Sequence, residues 1–125
     1  MNDVTSRHRK LSERLYVRTE SEHQIWTTGT WSGDYETSVG NYIVSIKANV
    51  KEFDEVDYGI VISDKKHTEI DRFWDEEISE PDVKPSVGDF RNHYALMKDL
   101  YRKAQRQTSG ADKALESILN ELDEL

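Results

Sequence analysis

The feature that most constrains the fold is a pair of apolar stripes at helical spacing in the last third of the chain. Phe90, Tyr94, Met97, Leu100, Tyr101 and Ala104 recur at three- and four-residue steps. That is the pattern a helix shows when one face meets a core. Ala114, Leu115, Ile118, Leu119, Leu122 and Leu125 form a second stripe after a break at Thr108-Ser109-Gly110-Ala111-Asp112. Gly110 suits the left-handed position that ends a helix, and Thr108 or Ser109 can cap the next one. Two amphipathic helices joined by so short a break predict a helical hairpin. A chain closing on leucine requires a cover for that face, either its own sheet or a second copy.

Upstream the periodicity changes. Tyr42, Val44, Ile46, Ala48 and Val50 alternate with Ser45, Lys47 and Asn49, as an antiparallel strand with one wet face requires. Val39-Gly40-Asn41 reads as the turn from a preceding strand through Tyr35–Ser38. Tyr58–Ser63 is a further strand. Ile70, Phe73, Trp74 and Ile78 fit both periods, but a short turn after Ile62 favours a hairpin partner up to about Trp74, so 68–78 is read as strand. Pro81 and Pro85 prevent a continuous helix between the sheet and the C-terminal helices.

The expected fold is therefore α+β. It has an N-terminal helix, an antiparallel meander of four or five strands, and a C-terminal helical hairpin packed on one face. A basic tail and short helix should occupy residues 1–22. A single domain should fill 23–125, with strands in about 23–78 and helices at about 87–107 and 110–124.

Composition narrows the function. At 125 residues there is room for one domain. The net charge of −8 makes a nucleic-acid partner a poor expectation, because neutralising phosphates supplies most of that affinity. Acidic side chains concentrate between Glu52 and Asp89, while basic ones gather at Arg7–Arg18 and Lys98–Arg106. An acidic surface suits a basic protein partner. With no cysteine there is neither a disulfide nor a thiolate, which fits a reducing cytoplasm. No apolar run approaches the roughly 20 residues of a membrane span, and the N-terminus lacks a signal-peptide core.

Chemistry is harder to find. His8, His23, His67 and His93 never stand at metal-ligand spacing, and the acidic run Asp75-Glu76-Glu77 lacks the pattern of a calcium loop. Neither a metal nor a cofactor is expected. Asp34 followed by Ser45-Ile46-Lys47 resembles a nuclease strand with one carboxylate missing. Ser, His and Asp are present without a nucleophile elbow. Trp26, Trp31 and Tyr35 cluster around two glycines and are candidates for stacking a base or gripping a peptide. Arg102 or Arg106 would approach an anionic group there.

The series Trp26-x-Thr28, Tyr42-x-Val44-x-Ile46, Leu100-Tyr101-x-x-Ala104 and Asp112-x-x-Leu115-x-x-Ile118-Leu119-x-x-Leu122 resembles a group of small uncharacterised bacterial proteins. Those combine a β-meander with two closing helices, and the resemblance covers about the last hundred residues. It implies the fold and carries no active site. The arginines that follow Leu-Tyr in that group are matched only in part, by Arg102 and Arg106.

Two functional expectations follow. One is a non-enzymatic interaction module, a homodimer or half of a complex with a basic protein, using Leu115, Ile118, Leu119 and Leu122. The alternative is a protein that sequesters a nucleotide or other small anion on the Trp/Tyr surface.

Overall fold

A computed structural model describes residues 3–124. The chain is α+β, with an N-terminal helix, five antiparallel strands and two C-terminal helices. Helix α1 spans Asp3–Glu20. Strands β1 (Thr27–Thr28), β2 (Tyr35–Val39), β3 (Tyr42–Val50), β4 (Val56–Asp64) and β5 (Glu69–Trp74) follow. Then come a helical turn α2 (Asp75–Ile78) and helices α3 (His93–Ser109) and α4 (Ala111–Asp123). The sheet is a meander in sequence order, the arrangement short hairpin connections favour.

The register explains the core. Tyr35 pairs with Ile46, Ile46 with Ile60 and Ile60 with Phe73. Directly paired side chains share a face, so this row runs across the sheet beneath the helices. Ile46, Ile60 and Phe73 are essentially inaccessible. Leu96, Met97, Leu100 and Ala104 of α3 close over them, joined by Leu15 and Tyr16 of α1. His8 stacks on Phe73 at 4.1 Å and bonds Asp71 at 2.8 Å, which carries α1 over β5. The opposite face bears Glu36, Ser45, Lys47, Ser63 and Arg72, with no helix across it among the described residues.

Three local expectations change. The N-terminal segment is one 18-residue helix rather than a tail with a short helix. Its buried face includes Ser12 and Thr19, so polarity hid the amphipathic pattern. Residues 68–78 divide at Trp74. The strand runs that far because Gly59 is paired opposite Trp74, and only a hydrogen fits beneath the indole: a Cβ at Gly59 would lie 2.8 Å from the ring. Asp75–Ile78 then turns helical. Asp75 accepts the Tyr58 backbone N–H at 2.7 Å, and Ile78 is fully buried. Helix α3 starts at His93, later than residue 87, because Asn92 caps it by accepting from the Ala95 N–H at 2.9 Å.

The C-terminal helices do not form a packed hairpin. Gly110 adopts φ +71° as the left-handed cap of α3, and its carbonyl accepts the Ala114 N–H at 3.0 Å within α4. Arg106 grips Asp112 across the elbow at 2.6 and 2.8 Å. Helix α4 contains no buried residue. The helix-facing side of the sheet is covered by α1 and α3, which leaves α4 no place on it.

Candidate functional site

The five residues singled out for ligand stacking do not share a surface. Trp26 is only 2% exposed. Its indole N–H donates to Thr19 Oγ1 at 2.9 Å, and its backbone N–H donates to Gln107 Oε1 at 2.9 Å. It joins α1, β1 and α3 from inside the core. Tyr35 faces the helices and meets Tyr101 edge-on at 5.2 Å. Burial and the neighbouring Tyr35 push the Tyr101 phenol up to about 12. Its hydroxyl donates to the Gly33 carbonyl, so it works as a tether for the β1–β2 loop. Arg102 is exposed on α3, and Arg106 is engaged with Asp112.

Of the three aromatic candidates Trp31 is the open one, at 70% exposure, beside a hollow of about 300 Å³ on the bare sheet face. The cations there are matched by carboxylates. Lys47 lies 3.4 Å from Asp34 and Arg72 2.6 Å from Glu69, while the His67 ring stands 3.5 Å from Glu36. A face whose cations already have carboxylates attracts an anion weakly.

A site missed in the sequence lies between α1 and the loop before α3. Here a groove of about 560 Å³ is edged by Lys10, Arg14, Arg18 and Lys84, with Val17, Val83 and Val87 between them. Glu13 sits at its base. It receives the Ser86 hydroxyl and lies 2.8 Å from His93 Nε2, while His93 itself is 1% exposed. Burial raises the Glu13 pKa, but the Ser86 and His93 bonds outweigh it and the carboxyl titrates below its usual range. Although Ser, Glu and His meet here, the carboxylate stands between the other two. A nucleophilic serine needs imidazole at its own oxygen, so these three pin the 83–93 loop to α1. The signal available in the sequence was the basic series Arg7, Lys10, Arg14 and Arg18 on one helical face.

The Glu13 pin has a pH signature. A carboxylate with a depressed folded pKa stabilises the fold above its unfolded value near 4.5, and that contribution disappears as pH falls through the folded pKa. Glu13→Gln is expected to cost about 1–2 kcal/mol at neutral pH. The melting-temperature gap to the parent should narrow as pH falls from about 4.5 through the folded pKa. Asp75, whose burial raises its pKa, acts in the opposite direction but cancels from the difference between the two proteins. A gap independent of pH would remove the charge from this account.

The apolar stripe of α4 is the other open surface. Leu115, Ile118, Leu119 and Leu122 are exposed at 50, 57, 50 and 60%. Leu125 lies outside the described residues. Among the described residues no three potential metal ligands gather, and no helix is long and apolar enough to cross a membrane. Comparison with protein-family models, curated proteins and solved structures found no match.

Proposed function

We propose that this chain is a non-enzymatic interaction module that associates with a second copy of itself through α4. The observation that carries the reading is a formed helix whose four large aliphatic side chains are half or more exposed on one face. Single exposed leucines are ordinary, but a contiguous stripe marks a contact surface. A 13-residue helix is also at the margin of stability in water unless its apolar face is covered. A cytoplasmic location belongs to the same reading and agrees with the absence of cysteine.

Covering the remaining surface of each stripe residue is worth on the order of 1 kcal/mol. Four such residues do not by themselves offset the cost of association, which is at least about 4 kcal/mol. The partner surface must contribute as well. Replacing Leu119 and Leu122 together by Asp is expected to weaken association on the order of a hundredfold or more, with an unchanged circular-dichroism melt. Sedimentation velocity of parent and variant checks both. A variant that loses its folding cooperativity would return the stripe to the core, and a parent that stays monomeric at high concentration would end the proposal.

A further inference from the structure

The two halves of such an interface are both present on one chain. Resting on the reading of α4 as the associating element, we infer that α4 of one copy seats in the basic groove beside α1 of another. Arg7, Lys10, Arg14 and Arg18 stand at three- and four-residue steps and are all exposed along α1. At 100° per residue, Asp112, Glu116 and Asp123 fall together about a quarter turn from the centre of the α4 stripe. Helix α4 therefore carries leucines on one face and acids along one flank. The groove offers valines edged with cations.

Charge decides between the candidate surfaces. Packing α4 against α4 would bring together two helices that each hold Asp112, Glu116, Glu121 and Asp123 against a single Lys113, with Glu124 directly beyond. Like charges in that setting oppose docking. Packing α4 against α1 sets opposite charges side by side. Among the described residues, Lys10, Arg14 and Lys84 have no carboxylate partner, and Glu116 and Asp123 have no cation. Both sets are thus free to pair. The groove volume of about 560 Å³ is in the range of clefts that enclose a substantial ligand, ~300–1,000 Å³.

The elbow selects a second copy over the chain's own groove. Arg106 holds Asp112 at 2.6 Å, and α4 begins directly from the left-handed Gly110, which keeps α4 turned away from α1. Reciprocal seating, with each copy giving α4 and receiving one, closes on a two-fold axis and stops at a dimer.

Charge reversal tests this. Lys10→Glu with Arg14→Glu should raise the dimer dissociation constant about tenfold, as should Glu116→Lys with Asp123→Lys. Combining all four should restore the parent value to within about threefold. Zero-length carbodiimide coupling of the parent protein should join Lys10 or Lys84 to Glu116 or Asp123 within a covalent dimer, an independent readout should a reversed variant fold poorly. If the α1 reversals leave the dimer intact while the Leu119 and Leu122 replacements dissociate it, α4 docks elsewhere; this inference falls and self-association stands. Couplings confined to the monomer band would place α4 in its own groove and overturn it. A parent monomeric at every concentration overturns both.

Discussion

Trp26→Ala is expected to lower the stability of the fold by about 3–5 kcal/mol, the usual range for removing a buried tryptophan or phenylalanine. Trp26 is 2% exposed and joins three elements. Its loss leaves a void lined by α1 and α3, and it removes the donor to Thr19, whose side chain is itself buried. Natural domains hold only about 5–15 kcal/mol in total, so a loss of this size should remove a large share of the stability and lower the melting temperature well below the parent's. Trp31→Ala should change stability by less than about 0.5 kcal/mol, because its ring is already in water. Urea titrations of the two variants check this contrast. Equal losses would mean that Trp26 is not in the core.

The two C-terminal helices are expected to answer the same substitution in opposite ways. Leu100 of α3 is fully buried against the sheet, and Leu100→Ala should cost about 2–5 kcal/mol in the monomer. Leu119 of α4 is 50% exposed. Leu119→Ala should leave the monomer within about 0.5 kcal/mol of the parent, since alanine is also the better helix former. Its effect should appear in association. Denaturant midpoints taken at low protein concentration separate the two responses. A monomer destabilised equally at both positions would put α4 in the core.

This contrast also marks the limit of what the sequence discloses. The stripes Phe90–Ala104 and Ala114–Leu122 look alike as patterns, because periodicity reports that a helix has an apolar face and says nothing of what covers it. Their destinations depended on α1, whose amphipathic character was obscured by Ser12 and Thr19. Those polar side chains are buried because they find partners: Ser12 donates to the Arg9 carbonyl, and Thr19 accepts from Trp26. The β3 alternation was legible for the opposite reason. A strand half in water must repeat every second residue, and Val44 and Ile46 do lie beneath the helices while Ser45 and Lys47 do not. The Gly40 hairpin was legible because only a short turn there keeps Val39 paired with Tyr42.

The candidate site was less readable. Trp26, Trp31 and Tyr35 are close in sequence, but β1 is a two-residue strand and the loop after it passes the sheet edge. The three rings consequently divide between the core, the bare face and the helix-facing side. The groove joins α1 to residues about 70 positions later, through Glu13, Ser86 and His93. No local motif announces such a meeting. What could be read was the basic face of α1 and the acidic flank of α4, each visible at helical spacing without any sign that one fits the other.

Hydrogen exchange along Ala111–Asp123, followed as the protein concentration is raised, tests the role of α4 most directly. The amides of α4 should become progressively protected as copies associate, while those of Tyr42–Val50 stay equally slow throughout. Rapid exchange in α4 at every concentration would contradict the account, since the helix would then have no partner in a second copy.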